Sequence, residues 1–220
     1  MTTLSESESK DLLRPFGVPF LPEVLVAEAA EVSGALDALG GEGATGAMAA
    51  KLCGDAVAHK SERGLVRLGL IGRDAITTAV HELLAAARPD DGATGVLLAP
   101  MAGGLREFLV GAAHDPTFGA TIVLGLGGVL AEALADVTVR LAPITRADAH
   151  DMLDSLRTRA LLEDFRGEPP VDREAMVELL MAVSVASVSI PDLKSIDLNP
   201  VRIVDGRPVA LDALVEIGQR

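Results

Sequence analysis

A chain of 220 residues is long enough for one large domain or two small ones, and 49% apolar with 23% charged residues argues against general disorder. Acidic residues outnumber basic ones by 32 to 19, and the net charge of −13 disfavours general attraction to nucleic acid or to an anionic membrane. The single cysteine, Cys53, excludes an intrachain disulfide and a cysteine-based zinc site. No apolar leader and no uncharged run of spanning length is visible, so we expect a cytoplasmic protein that binds neither nucleic acid nor membranes.

The first half of the chain predicts helices alternating with strands. Residues 1–10 are polar, and we expect them to form a flexible N-terminal tail. Pro15 and Gly17 end the helix that precedes them. Segment 41–50 is rich in small residues and gives no clear element, and residues 43–50 within it are weak strand material. Apolar runs and helical spacing predict the other elements, which are strands at Val24–Val26, Val66–Ile71 and Gly95–Met101 and helices at Glu28–Leu39 and Ala75–Ala87.

The second half continues this mixed pattern, which predicts an α/β or α+β fold. Thr145 and Asp148 have the spacing of a capping box at the start of a helix. The remaining predicted elements are strands at Phe108–Ala113, Ala120–Leu124 and Thr138–Leu141, a helix at Asp172–Val188, and two strands within Ser195–Val215.

The C-terminal segment predicts a β-hairpin with polar groups on one face. Asp205-Gly206 between apolar runs is typical of a two-residue hairpin loop. In that register Asn199 lies opposite Asp212, and Asp197 shares the face of Asn199 because strand side chains alternate. Two acids and an amide form an oxygen-rich group of the kind that binds Mg²⁺ together with substrate phosphates, although a solvated hairpin face gives the same pattern.

A glycine- and lysine-bearing segment precedes the second predicted strand. Gly54–Ser61 nearly matches a phosphate-binding P-loop, but His59 replaces the glycine before the lysine, so we reject a P-loop. Lys51 and Lys60 fall within ten residues of each other, and lysine is a suitable point charge for phosphate. His59 is able to act as a nucleophile or phosphate carrier, and the alternative is an exposed loop histidine.

Taken together, these segments resemble the ATP-grasp domain of the ADP-forming acyl-CoA synthetases. The motifs are individually weak, but their order and spacing are specific and cover about residues 10 to 216. In chain order, the matching segments are Leu12–Pro22, Lys51 with His59-Lys60-Ser61, Val66–Leu70, Glu107–Gly111, Asp115–Gly119, Gly125–Gly128, Arg140–Pro143, Leu161–Pro170, Asp197–Pro200 and Ala210–Ala213.

The resemblance implies an α+β ATP-grasp fold with two α/β subdomains around a nucleotide cleft. The expected ATP-grasp domain covers residues 11–216, with a first subdomain at about 24–100, the second in the remainder, and a short tail at 217–220. The implied reaction interconverts acid, CoA and ATP with acyl-CoA, ADP and phosphate through an acyl phosphate and phosphohistidines.

The resemblance also implies roles for particular residues. His59 matches the histidine that relays a phosphoryl group. Lys51 matches a residue that contacts nucleotide phosphate, and Asn199 and Asp212 match the ligands of Mg²⁺. The other residues assigned to the ATP or ADP site are Lys60, Ser61, Gly64, Met101, Glu107 and Asp197.

The chain contains neither the CoA-binding domain nor the ligase domain of the fused enzymes, so the resemblance implies a large CoA-binding/ligase partner subunit. Two departures keep a non-catalytic, nucleotide-binding or scaffolding module as an alternative. Leu65 stands where the family loop has glycine, and Ala99-Pro100 stands where the family has a polar pair beside adenine. A third alternative is the ATP-grasp region of a larger acyl-CoA-dependent protein acetyltransferase.

Overall fold

The computed structural model describes residues 2–40, 46–57, 60, 62–128 and 131–218, which form two compact units. The small unit comprises Ser5–Ser7 and Leu21–Met101, and the large unit comprises Met1–Leu4, Glu8–Phe20 and Ala102–Arg220. Both combine an antiparallel sheet with helices, so the expected α+β class is confirmed.

The described residues form strands and helices that we number in chain order. The strands are β1 (Thr2–Thr3), β2 (Val24–Val26), β3 (Met48–Gly54), β4 (Val66–Leu70), β5 (Ala93–Pro100), β6 (Glu107–Asp115), β7 (Gly119–Leu126), β8 (Val137–Leu141), β9 (Leu193–Val204), β10 (Arg207–Ala210) and β11 (Leu214–Ile217). The α-helices are α1 (Glu6–Leu13), α2 (Val32–Ala38), α3 (Arg73–Ala85), α4 (Ala131–Leu134), α5 (Arg146–Ser155) and α6 (Arg173–Ser189). Within these described ranges, no helix combines the length and the apolar character needed to cross a membrane.

The sheet of the small unit has the strand order β2-β5-β3-β4 and is antiparallel throughout. Its core joins apolar side chains of α2 and α3 to the sheet, among them Leu36, Val80 and Leu83. β3 forms from weak strand material because β5 and β4 pair with it on both sides. Six of its seven residues are buried, so sheet pairing and burial outweigh the low strand propensity of alanine.

The sheet of the large unit has the order β1-β11-β9-β6-β7-β8, with β10 paired to β9. Side chains of α5 and α6 pack with strand residues such as Phe108, Ile122 and Leu198 in one core. The predicted capping box starts α5: the Asp148 N–H donates to Thr145 Oγ1 at 3.2 Å, and the Thr145 N–H donates to an Asp148 carboxylate oxygen at 2.8 Å.

The N-terminal residues differ from the flexible tail that we expected. Thr2–Thr3 pairs with β11, and α1 begins at Glu6. The segment is ordered because its polar side chains have partners: Ser9 Oγ accepts from Val215 N at 3.1 Å, and Lys10 Nζ donates to the Leu211 carbonyl at 3.3 Å. The predicted helix end is confirmed, since Gly17 follows in the left-handed conformation at φ +95°.

Candidate functional site

The C-terminal hairpin has the predicted turn and register. Arg207 pairs with Val204 and Pro208 pairs with Ile203. Asp205 and Gly206 form the turn with φ values of +49° and +84°, as a type I′ turn requires. The local turn chemistry of Asp-Gly therefore fixed which residues of the two strands face each other.

The same register continues beyond β10. In β11, Leu214 pairs with Asp197 and Val215 pairs with Ile196, which keeps the offset of the β9–β10 ladder. Between the two ladders, the Leu211 N–H donates to the Pro200 carbonyl at 2.9 Å. The constant offset brings Asp212 opposite Asn199, as the sequence predicted.

The exposed side of β9 carries the polar residues. Asp197 and Asn199 are exposed, whereas Leu198 between them is buried. The alternation shifts by one residue after Asn199, so that Val201 is buried and Arg202 lies on the side of Asp197 and Asn199. We call Glu107, Asp197, Asn199 and Asp212 the oxygen group of the large unit.

Arg202 adds a cation to this oxygen group. It pairs with Glu107 across β6 and β9, and its guanidinium donates to the Glu107 carboxylate. A second guanidinium nitrogen lies 3.4 Å from the Ala102 carbonyl. The buried Nε of Arg202 has no hydrogen-bond partner within the described part of the chain. Arg202 therefore neutralises one acid of the group.

Asp197 is in an environment that favours a neighbouring cation. Its side chain reaches the surface, but crowded protein atoms remove part of the hydration of its carboxyl, and this desolvation raises its pKa. A positive charge close to the carboxyl would lower this pKa again.

The glycines after β7 pack closely against Glu107. The Gly127 N–H donates to the Glu107 carbonyl at 2.8 Å. A Cβ added at Gly127 would lie 2.9 Å from the Phe108 carbonyl carbon, and one added at Gly128 would lie 3.0 Å from Glu107 Oε2. The segment Gly125–Gly128, which is one of the segments that carry the family resemblance, thus lies against the backbone and carboxylate of Glu107.

The small unit carries a compact group of cations. Lys51 on β3 places Nζ 2.8 Å from Glu6 Oε1, and Lys60 places Nζ 2.5 Å from Glu6 Oε2. The side chain of Glu6 is 1% exposed and each lysine side chain is 16% exposed. One buried carboxylate therefore holds both predicted phosphate contacts together.

The segment after Lys60 is anchored by a buried leucine. Leu65 is 2% exposed in the core of the small unit, and its N–H donates to the Lys60 carbonyl at 2.7 Å. Gly64 next to it has a left-handed φ of +65°. The predicted site residues His59 and Ser61 lie outside the described residues.

Met101, which the resemblance assigns to the ATP or ADP site, directly follows β5. Its side chain is exposed, and its backbone N–H donates to the Ala47 carbonyl at 2.8 Å. That N–H is therefore already engaged within the small unit.

The described residues fit a metal ion only in part. Within them, no three carboxylate, imidazole or thiol side chains gather closely enough to hold a metal. Asn199 and Asp212 contribute an amide and a carboxylate oxygen at one register position, and Asp212 also accepts from the Ala213 N–H at 2.8 Å. Such a donor set suits Mg²⁺, which typically takes one or two carboxylates together with substrate phosphates and water.

Sequence reasoning missed two members of these groups, Glu6 and Arg202. Glu6 lies in a polar segment without a motif, and its partners are 45 and 54 residues away along the chain. Arg202 was missed because strict alternation from Asp197 and Asn199 places it on the opposite face of β9, and only the shift after Asn199 brings it next to Glu107.

Comparison with known proteins agrees with this geometry. The family model of the ATP-grasp domain matches residues 1–217. The β subunit of ADP-forming acetate–CoA ligase I from Pyrococcus furiosus is 33% identical over 217 residues, which covers 96% of this chain and 90% of that subunit.

Solved structures give the same result. Acetyl-coenzyme A synthetase 1 from Candidatus Korarchaeum cryptofilum, in complex with coenzyme A and Ca-AMPCP, superposes with a TM-score of 0.90 at 28% identity over 99% of this chain and 94% of that one. The same enzyme with coenzyme A and Mg-AMPPCP, its phosphohistidine segment pointing towards the nucleotide-binding site, gives a TM-score of 0.82 at 28% identity, over 99% and 93%.

The fold and the full-length match define the class of protein. The chain belongs to the ATP-grasp family and, within it, groups with the β subunits of ADP-forming acyl-CoA synthetases. The resemblance inferred from the sequence motifs and the expected ATP-grasp fold are thereby confirmed.

Proposed function

We propose that this protein is the nucleotide-binding subunit of an ADP-forming acyl-CoA synthetase. The reaction converts acid, CoA and ATP to acyl-CoA, ADP and phosphate, and it requires a CoA-binding/ligase partner subunit in the cytoplasm. The observation that carries the proposal is the match to a β subunit of that enzyme class along nearly all of both chains.

The two charged groups support binding of a nucleoside phosphate. Lys51 and Lys60 are assigned to the phosphates, because a lysine ammonium group is a suitable point charge for phosphate and Glu6 gathers both of them at one place. Ser61, Gly64, Met101, Glu107 and Asp197 are assigned to the remainder of the ATP or ADP.

Asn199 and Asp212 are assigned to Mg²⁺. Their shared register position, and the exposed Asp197 carboxyl on the same side of β9, support a cation at this end of β9. When bound, Mg²⁺ supplies neutralisation of phosphate charge.

His59 is assigned to phosphoryl transfer. An unprotonated imidazole nitrogen attacks the γ-phosphorus of ATP, so that an N–P bond forms while the P–O bond to ADP breaks. ADP leaves with the bonding electron pair. A carboxylate oxygen of the acid then takes the phosphoryl group as the N–P bond breaks. On the partner subunit the CoA thiol attacks the acyl carbon of the resulting acyl phosphate, and phosphate leaves.

A second candidate function is a nucleotide-binding module without turnover. Two observations favour it: the Met101 N–H is engaged by Ala47, and Pro100 has no N–H to offer to adenine. Buried Leu65 also restricts the segment next to His59, because glycine would allow a wider range of backbone conformations.

Phosphoryl transfer from ATP separates the two functions. The label on this chain is measured with the CoA-binding/ligase partner subunit present, because the nucleotide-binding subunit is expected to be inactive alone. Incubated with Mg-ATP labelled at the γ-phosphate, the wild type is expected to gain an acid-labile label that added ADP removes as ATP. His59→Ala should stay unlabelled, and the matched variant His114→Ala should label like the wild type.

Two results contradict this proposal in different ways. Binding of Mg-ATP without any label would favour the module without turnover. Full labelling of His59→Ala would remove His59 from the reaction.

A further inference from the structure

Glu6 is the buried centre of the cation group in the small unit. Each of its carboxylate oxygens binds one lysine, Oε1 to Lys51 and Oε2 to Lys60, at 2.8 and 2.5 Å. The two lysines come from different places, Lys51 from the central strand β3 and Lys60 from the segment before β4. Because both lysines bind Glu6, this residue fixes the segment that carries Lys60 against strand β3.

The difference in exposure indicates which side of the group a ligand meets. The Glu6 side chain is 1% exposed, whereas each lysine side chain is 16% exposed. An anionic ligand arriving from solvent therefore meets the ammonium groups, with the carboxylate behind them. Glu6 therefore does not occupy the place of the ligand phosphate, and the phosphate does not have to displace it from the lysines.

Electrostatics explains why a carboxylate is needed at this point. Two ammonium groups that both lie within 3 Å of one carboxylate are close to each other and repel. A buried anion between them offsets this repulsion and holds both nitrogens in charge-assisted hydrogen bonds. Without it, the lysine side chains would separate and regain rotamer freedom, and ordering them again would weaken phosphate binding.

We propose that Glu6 is a positioning residue that holds the ammonium groups of Lys51 and Lys60 in the geometry that receives nucleotide phosphate. The inference deepens the proposed function and rests on its assignment of Lys51 and Lys60 to phosphate. It assigns a role in nucleotide affinity to a segment that sequence reasoning treated as a flexible tail.

Calorimetry with Mg-ADP on the full chain tests this role. Glu6→Gln keeps the shape of the side chain but removes its charge, and its amide nitrogen would face one ammonium group as a second donor. We expect affinity about tenfold lower than in the wild type, corresponding to the weakening of one charge-assisted hydrogen bond. Glu8→Gln, the same change at an exposed position of α1, is the matched control and should bind as the wild type does.

A double-mutant cycle distinguishes positioning from general damage to the fold. If Glu6 acts through the lysines, Glu6→Gln costs clearly less affinity in a Lys51→Met background than in the wild type. A merely structural effect would cost the same in both. If Glu6→Gln does not fold, Glu6→Asp keeps the charge on a shorter side chain and should show an intermediate loss.

Each other result has a distinct meaning. Wild-type affinity in Glu6→Gln, or an equal loss in both backgrounds, would overturn the positioning role. Tighter binding in Glu6→Gln would also overturn it, since Glu6 would then compete with phosphate. Wild-type affinity in Lys51→Met would instead overturn the assignment of Lys51 to phosphate in the proposed function.

Discussion

The two units present charged groups of opposite sign, and each group contains one residue of the other sign. In the small unit, the buried carboxylate of Glu6 binds two lysines. In the large unit, Arg202 binds Glu107 within the oxygen group. The comparison teaches that, in each unit, side chains of one charge that are assigned to ligand binding are positioned by a buried or half-buried residue of the opposite charge. Such residues do not belong to the motif and are hard to recognise from sequence.

The largest expected effect concerns the oxygen group and its metal. Asp212→Asn keeps the shape of the side chain but removes the charge assigned to Mg²⁺. We expect the affinity for Mg-ADP to fall by about 10- to 100-fold, because a contact to a charged group contributes about 1.5–3 kcal/mol. Calorimetry with ADP in the presence of Mg²⁺ or of EDTA measures the change.

The matched control for this prediction is Asp205→Asn in the turn of the same hairpin. Asparagine tolerates the left-handed conformation found at Asp205, so this variant should bind as the wild type does. If ADP binding to Asp212→Asn depended on Mg²⁺ as strongly as in the wild type, Asp212 would not be a metal ligand. Of the two charged groups compared above, only Lys51 and Lys60 with Glu6 would then remain assigned to the nucleotide.

A smaller effect is expected at the counter-charge of the oxygen group. Arg202→Met removes the partner of Glu107, whose side chain is only 20% exposed. We expect the free energy of unfolding in urea to fall by about 1–3 kcal/mol, because a mostly buried charge loses its hydrogen bond. Adding Glu107→Gln should recover part of the loss.

Arg207→Met provides the control, because Arg207 is 71% exposed and lies 3.8 Å from Asp172. Its removal should change stability by less than about 1 kcal/mol. If Arg202→Met were as stable as this control, Glu107 would not need its cation, and the parallel with Glu6 would fail.

The smallest effect concerns an acid that supports the fold of the small unit without belonging to the cation group. Arg63 donates two hydrogen bonds to Asp91, at 2.7 and 2.8 Å, and the Arg88 N–H donates a third. These contacts, that of Arg63 foremost, lower the pKa of Asp91 from 3.8 to about 2. The lowered pKa means that ionised Asp91 stabilises the folded state above pH 3.8, and that this contribution is lost as the pH falls through about 2.

Urea unfolding at a series of pH values measures this dependence. Asp91→Asn should show a flatter loss of stability than the wild type below pH 3.8, whereas Asp90→Asn at the exposed neighbouring position should follow the wild type. Identical acid profiles for Asp91→Asn and the wild type would show that the Arg63 contact does not contribute to stability.

Local signals made much of the large unit predictable. Asp205-Gly206 specifies its own turn, and the turn fixes the pairing that brings Asp212 opposite Asn199. The side chains of Thr145 and Asp148 satisfy the first backbone N–H groups of α5, so its start is also encoded locally.

Elements that depend on distant partners could not be predicted in the same way. β3 contains Ala49 and Ala50, which carry little strand preference, and it forms because two strands pair with it. α1 is short and polar, and its order depends on contacts such as that of Ser9 with Val215, 206 residues away. The contact of Glu6 with two lysines could not be predicted for the same reason, because no rule of sequence spacing relates positions 6, 51 and 60.

The common offset of the two C-terminal ladders constrains how this protein can change in length. Residues added in equal number to both strands at the tip beyond Ile203 and Pro208 would extend the ribbon and leave its base unchanged. A single residue inserted after Ala210 would instead turn Asp212 to the opposite face or break its alignment with Asn199. Insertions and deletions should therefore be excluded from the few residues that join its two ladders. The tip is fixed as well, because the Asp172 N–H donates to the carbonyl of buried Gly206 at 2.7 Å.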